Sequence, residues 1–178
     1  MQSELERELV EAAVGGDLES FGELCRRYYA AMVAVAYAVL SDHQLAEDAA
    51  QESFARALVR IRSLKDKAKF APWLAAICRN VAKDMAAAKA RQICIEDLSQ
   101  AGHNNSEGES SRLIRRAIER LPARTKELIV LRYYNNLSYE HIASILGTSA
   151  TAINGRLARA KRKMAKHLKH NGFPENRL

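Results

Sequence analysis

The chain has 178 residues, enough for one ordinary domain or two small ones, and 48% of them are hydrophobic, which excludes disorder throughout. Only 8 glycines and 3 prolines occur, and apolar residues recur with periods of three and four, so we predict an all-α protein. The net charge of +7 is uneven: residues 1–98 carry −2, residues 99–111 carry −2 and residues 112–178 carry +11. The basic part is therefore expected to meet nucleic acid or another acidic surface.

The sequence argues against membrane insertion and against a disulfide framework. No apolar run reaches the roughly 18 to 20 residues of a membrane span. The first residues, MQSELERELVEAA, are acidic and amphipathic, unlike a secretory signal, so we expect a cytoplasmic protein. Cys25, Cys78 and Cys94 are odd in number, widely spaced and lack a C-x-x-C pair, which predicts buried reduced thiols. We expect neither a metal nor a cofactor.

Three helices are predicted in the N-terminal domain, residues 1–98. The first follows Asp17, a suitable N-cap, and the third begins near Pro72, which is favoured in a first helical turn. The polar segment SLKDKAKFA before the third helix is predicted to be a loop. Helical spacing predicts one buried face for each helix. The face of the first helix is Phe21, Leu24, Cys25, Tyr28, Met32, Val35, Ala36 and Val39, and that of the second is Ala46, Ala49, Ala50, Phe54, Ala57, Leu58 and Ile61. The face of the third is Trp73, Leu74, Ile77, Cys78, Val81 and Met85.

The segment SQAGHNNSEGESS, residues 99–111, is rich in Ser, Asn and Gly and is predicted to be a flexible linker. Fully extended, it would reach about 45 Å at most. The sequence therefore predicts two small helical domains, residues 1–98 and 112–170, able to engage one partner at separate places, with a tail at 171–178.

A helix-turn-helix motif is predicted in the C-terminal domain, after a helix break at Pro122. Ser138 can cap the first helix of the motif, and Gly147 stands where a left-handed residue ends a helix. Ser149 can cap the next helix after a three-residue turn. Two helices joined by a short turn that contains glycine are typical of DNA-binding helix-turn-helix domains.

The last helix is predicted to bury one apolar stripe and to turn a basic face outward. The stripe is Ile153, Leu157, Ala160, Met164 and Leu168. Side chains near the N-terminus of such a helix reach base edges, and those further along meet phosphates. The predicted base readers are Thr151, Ala152, Asn154 and Arg156, flanked by Ser149 and Gly155. The predicted phosphate ligands are Arg159, Lys161, Arg162, Lys163 and Lys166. A solvated basic helix in a bundle is the alternative interpretation.

Four segments together resemble the extracytoplasmic-function sigma factors of bacterial RNA polymerase. They are AAVGGDLESFGELCRRYY, LAEDAAQESFARAL, FAPWLAAICRNVAKDM and AIERLPARTKELIVLRYYNNLSYEHIASILGTSATAINGRLARAKRKM. The resemblance covers about residues 8–168 and implies an initiation factor with two domains. Its partners would be core RNA polymerase, promoter DNA and, in some cases, an anti-sigma factor, with no small-molecule substrate.

The resemblance also implies a role for each domain. The N-terminal domain would dock on the polymerase clamp through Asp48, Gln51, Glu52 and Arg56. The minus-ten promoter element would be bound by Lys65, Lys67, Lys69, Phe70, Trp73, Arg79, Asn80 and Lys83. The C-terminal domain would read the minus-thirty-five element through its last helix. The segment MAAAKAR after Asp84 lacks the run of arginines usual in the family, and His141 replaces a common glutamate.

The sequence is also compatible, less well, with two other classes of protein. A stand-alone helix-turn-helix regulator would bind DNA without polymerase, but it would leave the AEDAAQESF face without a role. An enzyme is disfavoured, because no nucleophile motif and no phosphate-cradling glycine loop occurs. His167 and His170 could share a metal, yet no acidic residue or cysteine stands beside them.

Overall fold

A computed structural model describes residues 2–96, 109–171 and 173. Over these residues the chain is helical and contains no strand, so the predicted all-α class is confirmed. None of the helices in the described ranges is both long and apolar enough to cross a membrane. The helices are α1 Gln2–Gly15, α2 Leu18–Leu40, α3 His43–Arg60, α4 Phe70–Glu96, α5 Glu109–Glu119, α6 Ala123–Tyr133, α7 Tyr139–Leu146 and α8 Ala150–His170.

Polar side chains cap the helices of the N-terminal domain. The carboxylate of Asp17 accepts hydrogen bonds from the backbone N–H of Glu19 and Ser20, at 3.2 and 3.1 Å, which confirms the predicted start of α2. Asp42 accepts from the N–H of Leu45 at 3.2 Å and starts α3. These bonds satisfy N–H groups that have no partner inside their own helix.

Helices α2, α3 and α4 pack around a core in which alanine is frequent. Small side chains let the helix backbones approach one another closely, and larger ones such as Leu24, Met32 and Leu74 fill the spaces between them. One predicted core residue, Leu58, is instead 40% exposed, because it lies at the edge of the α3 stripe beside the exposed Val59. The buried alanines of these helices are Ala31, Ala34, Ala36, Ala38, Ala46, Ala49, Ala50, Ala57, Ala71, Ala75 and Ala82.

The helix-turn-helix motif has the predicted caps. Ser138 Oγ accepts from the N–H of His141, and Ser149 Oγ accepts from the N–H of Ala152, each at 3.2 Å. Gly147 has φ 63°, the left-handed conformation that glycine adopts without steric cost. The α7–α8 turn therefore has the predicted length of three residues.

The two domains do not lie apart in this structure. Helix α2 packs on α6, α4 packs on α7, and one hydrophobic core runs through both domains. Residues 97–108, most of the predicted linker, lie outside the described residues. Helix α5 already begins at Glu109, so the last three residues of the predicted linker are helical.

The glycines at 147 and 155 are expected to respond oppositely to alanine. Gly147→Ala should lower the free energy of unfolding by about 1–2 kcal/mol, because alanine disfavours the left-handed conformation. A Cβ at this position would also lie 3.3 Å from Pro72 Cβ. Gly155→Ala should raise the free energy of unfolding by up to about 1 kcal/mol, since the site is inside a helix and only Arg159 Nη1, at 3.7 Å, would be near the new Cβ. Urea unfolding measures the change in the free energy of unfolding of each variant. Changes of the same sign in the two variants would contradict this interpretation of the turn.

Candidate promoter and polymerase interface

Helix α8 presents a basic face to solvent. Its apolar stripe is turned inward as predicted: Ile153, Leu157, Ala160 and Leu168 are buried, and Met164 is half-buried. Every residue predicted to contact the minus-thirty-five element is exposed or half-buried. Those residues are Ser149, Thr151, Ala152, Asn154, Gly155, Arg156, Arg159, Lys161, Arg162 and Lys163, with Lys166 beyond them.

A basic groove runs between the first turn of α6, the α7–α8 turn and α8. Arg124, Arg156, Arg159 and Lys163 line it, and no acidic side chain does. Because every charged side chain that lines the groove is a cation, the groove favours the phosphates of a nucleic acid. Arg124 was not among the predicted contacts, because its position beside α8 depends on how α6 packs and not on any local pattern.

Lys161 lies at the edge of the basic face. Its Nζ is 5.4 Å from the centre of the Tyr133 ring on α6, within range of a cation–π contact. A hydrogen bond with the Tyr133 hydroxyl raises the pKa of Lys161 above its ordinary value. Lys161 therefore remains charged, but it is directed toward α6 and away from the middle of the groove.

The face of α3 predicted to meet polymerase is accessible. Asp48 and Gln51 are exposed, and Glu52 and Arg56 are half-buried. Arg56 Nε donates to Glu52 Oε1 at 2.7 Å, and Arg56 Nη1 lies 3.6 Å from Asp84 Oδ2. Arg56 therefore links the outward face of α3 to α4, in addition to being available to a partner.

The predicted loop, residues 63–71, contains the 3₁₀ turn Lys67–Lys69 and the end of another, Ile61–Ser63, while its last two residues, Phe70 and Ala71, already belong to α4. Asp66 caps the turn Lys67–Lys69 by accepting from the N–H of Ala68 at 3.1 Å, and it pairs with Lys69 at 3.4 Å. Lys65 and Lys69 are exposed and Lys67 is half-buried. The three lysines of this segment thus have access to solvent on a turn that its own aspartate rigidifies.

The structure corrects the expectation for Phe70. Its side chain is 0% exposed and packs edge-on against Tyr28, with 5.7 Å between ring centres. A base therefore cannot stack on it in this arrangement. Phe70 is buried because it is the first residue of α4 and lies on the same helix face as Leu74. Trp73, half-buried and tilted against Phe70 at 5.9 Å, keeps one part of its ring accessible.

Arg79, a predicted minus-ten contact, is engaged with the other domain. Arg79 Nε donates to Glu127 Oε1 on α6 at 3.0 Å, and the two side chains are only 13% and 3% exposed. Burial raises the pKa of the Glu127 carboxyl above its usual range, while the nearby guanidinium of Arg79 opposes that shift. The predicted minus-ten residues Asn80 and Lys83 are exposed. No sequence pattern indicated the Arg79–Glu127 pair.

The thiols and histidines form no recognisable site in the described part of the chain. Cys25 and Cys78 are free, and burial raises the pKa of Cys78 to about 11, so its thiol is protonated and unreactive near neutral pH. The side chain of Cys94 lies outside the described residues. Among the residues that the structure describes, no group of three or more His, Cys, Asp or Glu side chains is arranged to hold a metal ion.

Comparison with known proteins identifies both domains. The family model for Sigma-70 region 2 matches residues 24–92, and that for Sigma-70 region 4 matches residues 111–164. The sigma-E factor of Haemophilus influenzae, named as an extracytoplasmic-function RNA polymerase sigma factor, is 30% identical over 170 residues. That alignment covers 86% of this chain and 89% of the relative.

Two further comparisons agree. The probable RNA polymerase sigma factor RfaY of Xanthomonas campestris is 30% identical over 169 residues, which are 88% of this chain but 42% of that longer relative. The solved structure of the sigma factor RpoE with the anti-sigma factor NepR from Bartonella quintana has a TM-score of 0.57 and 26% identity. It covers 85% of this chain and 98% of that one. The chain therefore belongs to the extracytoplasmic-function sigma factors, which bind core RNA polymerase and direct transcription initiation at promoters.

Proposed function

We propose that the first domain of this sigma factor binds polymerase and the minus-ten element, and that the second domain binds the minus-thirty-five element. The α3 face with Asp48, Gln51, Glu52 and Arg56 docks on the polymerase clamp, and α8 reads the minus-thirty-five element. The observation that supports this division most directly is the sorting of charge onto two accessible surfaces, an acidic helix face in the first domain and a groove whose charged side chains are all cations in the second. A stand-alone regulator would have no use for the region 2 domain at residues 24–92.

At the minus-thirty-five element, the first turns of α8 enter the major groove. Thr151, Ala152, Asn154 and Arg156 face base edges, and the half-buried Gly155 leaves room for the DNA to approach the helix backbone. The arginines and lysines beyond them contact phosphates, and these contacts do not depend on the base sequence. Arg124 joins these phosphate ligands, because it lines the same groove as Arg156 and Arg159.

At the minus-ten element, the turn with Lys65, Lys67 and Lys69 supplies phosphate contacts, and Trp73 supplies the accessible part of an aromatic ring. Asn80 and Lys83 continue this surface along α4. DNA opens if the unstacked strand is bound better than the duplex, so the process needs positioned cations and a stacking surface but no catalytic residue. We accordingly propose a cytoplasmic factor that is not an enzyme.

An anti-sigma factor is a further proposed partner. RpoE of Bartonella quintana was solved in complex with the anti-sigma factor NepR. The likeness of the two folds supports a partner of the same class for this chain. Such a protein would act by covering the surfaces that polymerase and promoter need.

The docking face can be tested by charge reversal. Asp48→Lys should weaken binding to core polymerase by roughly tenfold, because it places a positive charge against a basic partner surface. Glu8→Lys is the matched control: Glu8 is also an exposed helical acid, it lies on α1, and the change in charge is the same. Affinity for core polymerase and initiation on a genomic library of promoters are the measurements. An equal loss of polymerase affinity in both variants would argue against docking through the α3 face. If the wild type itself supports no specific initiation, the proposed function is rejected.

Substitutions of the proposed base readers and of the proposed phosphate ligands on α8 should differ in how they change the salt dependence of promoter binding. Arg159→Ala and Arg162→Ala should each reduce the slope of log affinity against log salt by about 0.9, with little change in base preference. Asn154→Ala should cost about 1–3 kcal/mol at its own base pair and relax the preference there. Binding of the reconstituted holoenzyme to promoter variants between about 50 and 200 mM salt measures both effects. Arg26→Ala, at an exposed arginine on α2, is the control. The same effect from all three α8 variants would reverse the assignment.

A further inference from the structure

We propose that the C-terminal half of α8 is a second DNA-binding surface of this sigma factor, which contacts phosphates that flank the minus-thirty-five element. The inference rests on the proposed function, since it takes the first turns of α8 as the part that reads the element. The surface is a shallow depression, and all five side chains that line it are basic. They form the C-terminal basic surface: Lys163, Lys166, His167, Lys169 and His170.

The C-terminal basic surface continues the basic groove without a break. Lys163 lines both, so one side chain belongs to the groove and to the surface. At about 100° per residue, six basic side chains fall within about 100° of one another around α8 and form a single line along the helix. They are Arg156, Arg159, Lys163, Lys166, His167 and His170. A strand of phosphates that leaves the groove along α8 therefore meets further basic side chains on the same line.

The line is too long to serve the bases of the element alone. At about 1.5 Å per residue, the predicted base readers from Thr151 to Arg156 span about 8 Å, and the line from Arg156 to His170 spans about 21 Å. The major groove of B-form DNA is about 12 Å wide. If α8 crosses the groove, it leaves the groove before His170, and if α8 follows the groove, it runs past the bases that its first turns read. In both cases the phosphates within reach of the C-terminal basic surface lie next to the element.

The end of α8 is held in place by contacts on its other side. Leu168 is buried in a small apolar cluster with side chains of α5. Asn171 Nδ2 donates to the carbonyl oxygen of His167 at 2.7 Å and so satisfies a group at the end of the helix. Lys166 and His170 nevertheless remain exposed. The basic side chains thus extend from a backbone that is already ordered, and an incoming polyanion does not have to order it.

Stabilisation of the helix end accounts for only part of this charge. Basic side chains in the last turn of a helix interact favourably with its C-terminal carbonyl groups, and His167, Lys169 and His170 lie in that turn. The effect falls off within one turn, so it does not explain Lys163 or Lys166. It also does not explain why these two lysines are aligned with the arginines of the groove. Binding of a polyanion accounts for the whole set.

The composition of the surface favours DNA over an acidic protein as the partner. The centre of a protein interface is usually formed by apolar and aromatic side chains. Among the described residues, the well-exposed large apolar side chains lie elsewhere, for example Val59 on α3 and Tyr134 just after α6, and none lies on α8. Basic side chains without an apolar anchor suit the phosphate backbone of DNA, which is bound mainly through its charge.

Phosphate ethylation interference on the reconstituted holoenzyme tests the surface. In the wild type, we expect ethylation of phosphates next to the minus-thirty-five element, as well as within it, to interfere with promoter binding. The double variant Lys166→Gln with His170→Gln should lose the interference next to the element and keep the interference within it, because Arg156 and Arg159 are unchanged. The slope of log affinity against log salt should fall by about 0.9 for each phosphate contact that is lost. The single variant Lys166→Arg, which keeps the charge, should behave like the wild type.

Arg26→Gln with His43→Gln is the matched control, since it also removes one permanent cation and one histidine, both from exposed positions in the first domain. It should leave the interference pattern and the salt slope unchanged. If the wild type initiates specifically but the α8 double variant shows the same interference pattern, the surface does not contact DNA, and an acidic protein becomes the better candidate partner. If the wild type binds no promoter specifically, the proposed function fails, and this inference fails with it.

Discussion

The burial of one carboxylate constrains how the two domains meet. Glu127 is only 3% exposed on its side chain, in a helix whose other buried residues are mostly aliphatic. Arg79 forms an ion pair with it, and Arg124 adds a weaker favourable charge interaction. Because Arg79 lies on α4, α6 must be oriented toward α4 wherever this ion pair forms. The packing of α6 on α2 and of α7 on α4 is consistent with that single orientation. Hydrophobic contact alone, being non-directional, would leave the orientation of the domains less well defined.

Within the first domain, close packing connects the proposed polymerase-binding face on α3 to the proposed DNA-binding surface at the start of α4. The buried alanines of α2, α3 and α4 bring the three helices close together, and Arg56 joins Glu52 on α3 to Asp84 on α4. Tyr28 fixes α1 to this group by donating its hydroxyl to Glu6 at 2.6 Å. The lysine-bearing turn at Lys67–Lys69 leads directly into α4. The outer face of α3 and the proposed minus-ten surface therefore belong to one packed unit.

Local chemistry predicted most helices of this fold, although not α1, and long-range contacts explain much of what it did not predict. The caps at Asp17, Ser138 and Ser149 and the left-handed Gly147 depend on side chains within three residues, so the sequence indicates them directly. The buried stripe and basic face of α8 follow from helical periodicity in the same way.

Apart from Leu58, which lies at the edge of its own helix stripe, the sequence is uninformative mainly where another part of the chain sets a residue's environment. The resemblance implies a DNA contact for Phe70, but its side chain is buried and packs against Tyr28, which is far away in sequence. The partner of Glu127 is 48 residues away, and Arg124 becomes part of the groove only when α6 lies beside α8. Gly147 shows how such constraints combine at one position. It is exposed, yet the turn geometry and the neighbouring Pro72 each restrict it, so one added methyl group would disturb the second domain's turn and the first domain's α4 together.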